Sequence, residues 1–476
     1  MGRAERRERR TLQRAMRDAR DVHSWRRAAE RLDAIEGNDA WRASDVDAPF
    51  DAEHLRRDTR ALDEGMRLGD VLAVEATLTE SLYRHHHEVT APENYAETHT
   101  GEPKSAIPEW LDACERAVEW LAVAPVPGLT DAARWGRFER ARANLGSTAL
   151  MLSGGGAWGL YHLGVVRALQ QAELLPTTLC GSSMGAIIAA GVGTRTDDEL
   201  EALYADPEQI HRVAVRILSP TGMAREGAVL SPAQLEEHVV TNVGMSTFAE
   251  AHARTGRVLN VTISPTRARQ KPRVLSHVTA PDVLIADATV ASCSLPGLFR
   301  PVTLRQRTAT GEVVPYAATE RWVDGSMHGD LPLRRMARLH NVNHFIVSQA
   351  NPFVLPFVTR HRRDVVTRVA RFAGSLTRAS TAAVLDETRR RLPTGRTRAA
   401  LDMAHALTAQ DYVGDINIHP RVPPAQYLRV MANPSLDQLH GYILGGERAT
   451  WPKLAAVRDQ TRITRALERV MARLAG

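Results

Sequence analysis

The clearest chemical signal in the sequence is a serine between two glycines, Gly181-Ser182-Ser183-Met184-Gly185. A strand-like segment precedes this pattern and a helix-like segment follows it, which is the setting of a nucleophilic serine on a tight strand-to-helix turn. The following helix would direct its positive dipole end toward a negatively charged intermediate. The pattern therefore indicates Ser183 as a candidate nucleophile, with Gly181 and Gly185 permitting the turn, although taken alone it also fits an ordinary glycine-rich turn.

A glycine-rich segment lies 29 residues before Ser183 and also follows an apolar run. Acyl transfer needs backbone N–H groups directed at a tetrahedral oxyanion, and consecutive glycines let the backbone approach a substrate closely. We therefore predict that Gly154, Gly155 and Gly156 form an oxyanion hole beside the Ser183 turn.

The same segment, Gly154 to Gly159, also spells G-x-G-x-x-G, the phosphate-binding pattern of dinucleotide-binding folds. Nucleotide binding would require an acidic residue at the carboxyl end of the second strand, where it holds the ribose. Glu173 has a suitable sequence distance, but it precedes that strand and so falls at the opposite end of the sheet. The sequence disfavours nucleotide binding.

A third motif is Val323-Asp324-Gly325-Ser326. An Asp-Gly pair alone indicates only a turn. However, a glycine-rich loop, G-x-S-x-G and D-G-[GAS] in this order form the motif set of patatin-like phospholipases, which this sequence resembles. Longer segments resemble the triacylglycerol lipase subgroup, in which a helical domain of uncharacterised function precedes the patatin domain. Among them are STALMLSGGGAWGLYHLGVVRAL, WVDGSMHGDLP and NVNHFIVSQANP.

The resemblance implies a three-layer α/β/α core in which Ser183 attacks an acyl ester and Asp324 takes its proton. It also implies oxyanion donors in Gly154–Gly156, a supporting motif residue in Gly325, and no metal or cofactor. Trp158 stands where many patatins carry Arg or Lys, and the triacylglycerol lipase subgroup has an aromatic residue there. We therefore expect a neutral acylglycerol substrate. Phospholipid hydrolysis, transacylation to a lysophospholipid, and an inactive lipid-surface scaffold remain alternatives.

A general esterase would use a Ser-Asp-His triad, and His328, His340 and His344 all follow Asp324. His328 is too close to Asp324 in sequence to bridge the aspartate and the serine. The family resemblance does not associate the other two histidines with catalysis. We therefore predict a Ser-Asp dyad.

Two further polar motifs are weak. Consecutive side chains of His85–His87 would point apart on a helix, and no carboxylate cluster accompanies them, so a metal site is not predicted. His277 and Asp282 fit the H-x4-D pattern of some lysophospholipid acyltransferases. Because the chain has 18 histidines, about one such match is expected by chance.

The elements that must position these motifs alternate between strands and helices. We predict helices at His162 to Gln171 and Met184 to Val192, and strands at Thr148 to Ser153, Thr177 to Cys180, Val258 to Ser264, Val283 to Ile285 and Phe345 to Ser348. Such alternation favours an α/β layered core with right-handed crossovers.

Three regions are expected along the chain. Residues 1–146 are predicted to form a helical N-terminal domain, since apolar residues from Ile107 to Leu121 recur at helical spacing. Residues 147–351 are predicted to form the patatin-like core. Residues 352–476 are predicted to form a mainly helical C-terminal extension that includes a short strand near residues 413–420.

The positive net charge of the chain indicates that it could bind a negatively charged surface. Its net charge is +6 and its pI about 9.5, and one basic segment runs from Arg360 to Arg371. We predict peripheral, charge-assisted binding to a lipid or membrane surface. Nucleic acid is not an expected partner because the basic runs lack interleaved aromatic residues. The sequence leaves the oligomeric state open.

Cysteine content and hydropathy bear on localisation. Cys114, Cys180 and Cys293 show no disulfide or metal-ligand spacing, which fits a reducing cytoplasm. No apolar run reaches the length of about 18 residues that a membrane span needs. We therefore expect a cytoplasmic protein, peripheral to a membrane or a lipid droplet.

Overall fold

The structure is a computed structural model that describes residues 2–46, 48–83, 88–267, 270–326, 330–352, 354–355, 413–420 and 429–475. Three features discussed above, His85–His87, His328 and Arg360–Arg371, lie outside the described residues.

The N-terminal region is helical. Its helices are α1 (Arg3–Asp18), α2 (Val22–Glu36), α3 (Asn38–Ala43), α4 (Ala52–Leu68), α5 (Val71–Tyr83), α6 (Ala106–Val123) and α7 (Asp131–Leu145). Side-chain caps start several of them. For example, Asp21 Oδ1 accepts a hydrogen bond from the N–H of Ser24 at α2, and Asp51 Oδ1 accepts one from the N–H of His54 at α4. The apolar face of α6 is buried against α4, as its helical spacing predicted.

A mixed sheet forms the centre of the molecule. Its strand order is β4-β3-β2-β1-β8-β9, and β7 also pairs with β3. The strands are β1 (Ser147–Leu152), β2 (Thr178–Gly181), β3 (Val258–Pro265), β4 (Arg273–Leu275), β7 (Trp322–Asp324), β8 (Val342–Ser348) and β9 (Ile416–Ile418), with β5 (Arg305–Arg307) and β6 (Val313–Pro315) in a separate hairpin. Strands β3, β2, β1, β8 and β9 run parallel, whereas β4 and β7 run antiparallel to β3.

The register of β3 determines where the Asp-Gly motif lies. Ile263 pairs with both Arg273 of β4 and Asp324 of β7, so β4 and β7 lie on opposite edges of β3. Val261 likewise pairs with Gly181 on the edge away from β4. Asp324 therefore follows Gly181 along one edge of β3, just beyond the carboxyl end of β2.

Helices cover the sheet. They are α8 (Tyr161–Gln171), α9 (Met184–Gly193), α10 (Asp197–Ala205), α11 (Pro220–Glu226), α12 (Pro232–Val243), α13 (Phe248–Thr255), α14 (Ile285–Cys293), α15 (Leu333–His340), α16 (Leu436–Thr450) and α17 (Leu454–Ala475).

Both faces of the sheet are buried, and β1 shows how. Leu150 and Leu152 belong to an apolar cluster shared with α8, α9, α12 and α14, while Ala149 and Met151 belong to another cluster with Met336 of α15. Successive side chains of a strand point to opposite faces, so a strand buried on both faces reads as one continuous apolar run. The predicted α/β core with its helical N-terminal region is confirmed.

One predicted strand is wrong. Residues Val283 to Ile285 do not form a strand: Val283 makes a single bridge to Gln306, and Ile285 begins α14. Every residue of α14 is buried, so its sequence lacks the polar face that normally marks a helix. A short apolar run does not distinguish a buried strand from a buried helix.

The last part of the chain completes both the sheet and the N-terminal helical region. Strand β9 pairs with β8, α16 packs on α8, and α17 packs on α6 and α7. These contacts join the three predicted regions, residues 1–146, 147–351 and 352–476, and do not mark boundaries between them. The division into three domains therefore stays a prediction. Across the described residues, no helix is long and apolar enough to cross a membrane.

Candidate active site

Ser183 lies on a tight turn between β2 and α9. Its backbone has φ 52° and ψ −126°, a conformation that L residues rarely adopt. Three neighbouring groups hold the turn: Ser292 Oγ accepts from the Ser183 N–H at 3.0 Å, and the Ser183 carbonyl accepts from Ala186 and Ile187. The serine is therefore held at the start of α9, as a nucleophile elbow requires.

The two predicted elbow glycines allow close backbone contact. A Cβ atom at Gly181 would clash with the Gly185 carbonyl, and one at Gly185 would clash with the carbonyls of Leu152 and Ser153. The turn thus packs directly on the end of β1, which leads into the glycine-rich loop.

That loop, Gly154–Gly156, lies against the serine and is called the oxyanion loop below. A Cβ atom at Gly154 would be 3.3 Å from Ser183 Cβ, and Gly156 has a left-handed φ of 53°. The Gly154 N–H donates to Asp330 Oδ1 at 2.8 Å, so it is not available as the predicted oxyanion donor. The N–H groups of Gly155 and Gly156 have no acceptor within the described residues.

Asp324 is fully buried, with 0% of its surface exposed, at the end of β7. Oδ1 accepts from the Ser326 N–H at 2.7 Å, whereas Oδ2 has no hydrogen-bond partner among the described residues. Burial raises the pKa of Asp324 to about 7, and the Ser326 and Ser183 hydroxyls act to lower it. A carboxyl group with such a pKa can both accept and return a proton near neutral pH. A Cβ atom at Gly325 would clash with Thr262, so the Asp-Gly pair is also needed sterically.

Asp330 is a second buried carboxylate that the sequence analysis did not identify. Its Oδ1 binds the Gly154 N–H, and its Oδ2 accepts from Asn351 Nδ2 at 3.2 Å. Burial raises its pKa to about 6, while the hydrogen bonds from Gly154 and Asn351 and the nearby Ser182 hydroxyl oppose that increase. Asp330 therefore connects the oxyanion loop to the segment after β8.

His162 fixes the residue that precedes the oxyanion loop. Burial lowers its pKa to about 4, so the ring is neutral. Its Nε2 lies 3.0 Å from the Ser153 carbonyl, which can only accept, so Nδ1 accepts from the Ser348 hydroxyl at 2.7 Å. Ser153 Oγ in turn accepts from the Ala350 N–H at 2.8 Å. No signal in the sequence pointed to this role.

The serine faces a cavity of about 630 Å³. Its wall combines the oxyanion loop and Ser183 with a largely apolar set that includes Leu160, Met184, Ile187, Leu235, Leu298 and Phe299. The volume and the apolar lining suit an acyl chain.

Two basic side chains also line this cavity. Arg212 makes no ion pair or hydrogen bond within the described part of the chain. His238 lies beside His211, with their Nδ1 atoms 3.2 Å apart, and burial lowers its pKa to about 4. Among the described residues, Arg212 is therefore a positive charge without an ion-pair partner in the wall of a largely apolar cavity.

Two of the histidines considered for a triad, His340 and His344, lie away from the cavity. His340 Nε2 contacts Asn260 Oδ1 at 2.8 Å, and His344 contacts Thr148 at the amino end of β1, opposite the oxyanion loop. Neither lines the cavity. His277 stacks on His252 with ring centroids 3.9 Å apart, and it also lies outside the cavity wall.

Comparison with known proteins agrees with this geometry. Residues 150–337 match the patatin-like phospholipase family, and residues 3–142 match a domain of unknown function, DUF3336. Triacylglycerol lipase ptl3 of Schizosaccharomyces pombe is 31% identical over 470 residues, which cover 94% of each chain. The chain belongs to the patatin-like phospholipase family. The predicted resemblance is thus confirmed.

Two further relatives are longer than this patatin-like chain. Triacylglycerol lipase SDP1L of Arabidopsis thaliana is 33% identical over 76% of this chain and 47% of its own length. Triacylglycerol lipase 4 of Saccharomyces cerevisiae is 30% identical over 96% of this chain and 52% of its own length. The chain therefore spans about half the length of these two relatives. Within its described residues, no group of three or more potential metal ligands occurs.

Proposed function

We propose that the chain is a serine lipid acyl-ester hydrolase that acts on triacylglycerol through a dyad of Ser183 and Asp324. The proposal rests on one observation: Ser183 lies on a tight strand-to-helix turn in the wall of a largely apolar cavity, beside the buried Asp324 carboxyl group, whose pKa is about 7. The relatives named triacylglycerol lipase support the same substrate class.

In the proposed mechanism, Asp324 Oδ2 takes the proton of Ser183 Oγ as that oxygen attacks the ester carbonyl. The N–H groups of Gly155 and Gly156 bind the resulting oxyanion. The C–O bond to the alcohol then breaks, the alcohol leaves with the proton from Asp324, and the acyl group stays on Ser183. Water attacks the acyl-enzyme, gives its proton to Asp324, and releases the fatty acid while Ser183 regains a proton.

Variants at the dyad test this mechanism. A fluorophosphonate probe should label Ser183 and should not label a Ser183→Ala variant. Asp324→Asn should lower turnover by about 10²-fold or more, the usual effect of losing a general base. By contrast, His328→Ala, His340→Ala and His344→Ala should each cost less than roughly tenfold. If one folded histidine variant were as inactive as Ser183→Ala, a triad would replace the dyad.

A second candidate function is phospholipid hydrolysis, and Arg212 favours it. A cation without a counter-charge in an apolar cavity would be stabilised by the phosphate of a bound substrate. Replacing Arg212 by Gln should then lower turnover of a phosphatidylglycerol substrate more than that of triolein. Arg216→Gln is a matched control, since Arg216 is exposed nearby and does not line the cavity. An equal loss on both substrates would count against phospholipid as the substrate.

We also propose that the enzyme acts in the cytoplasm, peripherally at a lipid or membrane surface. The net charge of +6 supports attraction to anionic lipid.

Transacylation is an alternative to hydrolysis at the same site, because an acceptor alcohol such as a lysophospholipid could replace water at the acyl-enzyme. Analysis of the products formed from mixed glyceride emulsions would distinguish the two reactions.

A further inference from the structure

A second cavity, of about 940 Å³, lies where the N-terminal helices meet α16 and the segment after β9. It is separate from the catalytic cavity, and the two share no lining residue among those described. Four cationic side chains line it: Arg17, Arg429, Arg448 and Lys453. None of its described lining residues is an aspartate or a glutamate. We call it the basic cavity.

The cationic residues of the basic cavity are only partly neutralised. Arg448 Nε donates to the Ala19 carbonyl at 2.7 Å. The nearby Asp18 carboxylate also favours the charged form of Arg448 electrostatically. Arg17 and Arg429, in contrast, form no ion pair or hydrogen bond through their side chains within the described chain. Charges of one sign in a concave site attract counter-ions more strongly than the same charges on a flat surface.

The rest of the wall mixes polar residues, namely Gln13, His99, Asn417, His419 and Gln438, with aromatic and apolar ones. Trp25, Trp158, Tyr161 and Tyr442 line the basic cavity, together with Met16. Tyr161 is 1% exposed, and its hydroxyl has no hydrogen-bond partner among the described residues. Such a wall offers apolar contact and a polar group that a ligand could satisfy.

We propose that the basic cavity binds an anionic amphiphile, that is, a phosphate or carboxylate head group carrying an apolar chain. Guanidinium groups recognise phosphate and carboxylate oxygens, and the aromatic side chains would contact the chain. The site adjoins the catalytic one, because Trp158 lines the basic cavity and its neighbour Ala157 lines the catalytic cavity. Both belong to the short 3-10 helix Gly156–Leu160.

Calorimetric titration of the Ser183→Ala protein tests this site without turnover. The probes are dihexanoyl phosphatidic acid, dihexanoyl phosphatidylcholine and inorganic phosphate. Phosphatidic acid should bind saturably, and Arg17→Gln combined with Arg429→Gln should weaken its binding by roughly tenfold or more. Arg17 and Arg429 are exposed, so the double variant should remain folded.

The control is Arg10→Gln, because Arg10 is exposed on the same helix as Arg17 but does not line the cavity. Phosphatidic acid binding that is unchanged by the double variant, or equally weakened by Arg10→Gln, would overturn the proposal. Inorganic phosphate or phosphatidylcholine binding as tightly as phosphatidic acid would overturn the assignment to an anionic amphiphile. Because no catalysis is measured, failure here leaves the proposed hydrolase activity unaffected.

Discussion

Burial of the Asp324 carboxyl should make hydrolysis depend on pH. Its pKa is raised to about 7, so the group is protonated and cannot act as a base well below that pH. We expect kcat/KM to rise with pH and to reach half its maximum near pH 7. Initial rates on a soluble short-chain ester between pH 5 and 9 measure this. A profile that is flat from pH 5 to 8 would contradict the assignment of Asp324 as the base.

Burial of the Asp324 carboxyl should also lower the free energy of unfolding at pH values above its raised pKa. Because the pKa of Asp324 is higher in the folded chain than in the unfolded chain, the folded state binds more protons between about pH 4 and 7. Stability is therefore lost as pH rises through this window. Asp324→Asn removes that loss, so the variant should be more stable than the wild type at pH 8, by on the order of 2–4 kcal/mol, and nearly equal at pH 4. Urea denaturation at both pH values measures the difference, and equal stability at pH 8 would contradict it.

Asp330 should position the oxyanion loop without touching the substrate. Replacing it by Ala removes the acceptor of the Gly154 N–H and the contact to Asn351. We expect kcat to fall by roughly tenfold to a hundredfold with little change in KM, because misplaced donors weaken transition-state binding. Asp330→Asn keeps an oxygen acceptor for Gly154 and should recover part of the loss. A purely structural role would instead lower the folded fraction of both variants without changing kcat per folded molecule.

At the scale of elements, the packing of α16 on α8 depends on two glycines. A Cβ atom at Gly446 would meet the Tyr161 carbonyl and the Cα atom of Gly164. Gly446→Ala should therefore destabilise the fold by roughly 1–3 kcal/mol or more. Gly441 lies on the same helix, and no atom lies within 4 Å of the position that a Cβ atom would take there, so Gly441→Ala should be neutral or stabilising by up to about 1 kcal/mol. Thermal unfolding of both variants measures the difference, and equal changes in stability for Gly446→Ala and Gly441→Ala would refute the close-packing argument.

The contrast between β2 and α14 shows what the sequence could predict about the elements. Strand β2, Ser183 and α9 are contiguous in the chain, so local periodicity and two glycines were enough to predict that Ser183 lies on a strand-to-helix turn. In α14, complete burial removed the periodic signal, and tertiary packing rather than local pattern determined the helix. The Gly154–Asp330 hydrogen bond joins residues 176 positions apart, and no local motif encodes such a pairing. For the same reason the sequence could not place Arg212 in the cavity wall.

At the scale of the whole molecule, the two ends of the chain are packed together. Helix α17 contacts α6 and α7, and Tyr95 Oη donates to Asp459 Oδ2 at 3.2 Å. Ion pairs cross the same contact, among them Arg142 with Glu468 at 3.0 Å and Arg458 with Glu102 at 2.9 Å. The N-terminal helices therefore bury their apolar faces partly against the last helix of the chain, and the two regions should unfold together.

A substitution in α17 tests that dependence. Leu467 is 1% exposed and belongs to the apolar cluster of the N-terminal helices, together with Trp110 and Leu111. Leu467→Ala should lower the free energy of unfolding by about 2–5 kcal/mol, because it removes buried methyl groups and leaves a cavity. Leu68→Ala is the control: Leu68 ends α4 and is 63% exposed, so its loss should change stability by less than about 0.5 kcal/mol. Urea denaturation followed by tryptophan fluorescence and by loss of esterase activity should give coincident transitions for the wild type and both variants. If Leu467→Ala shifted only the fluorescence transition and left the activity transition in place, the N-terminal helices would be unfolding independently of the catalytic core.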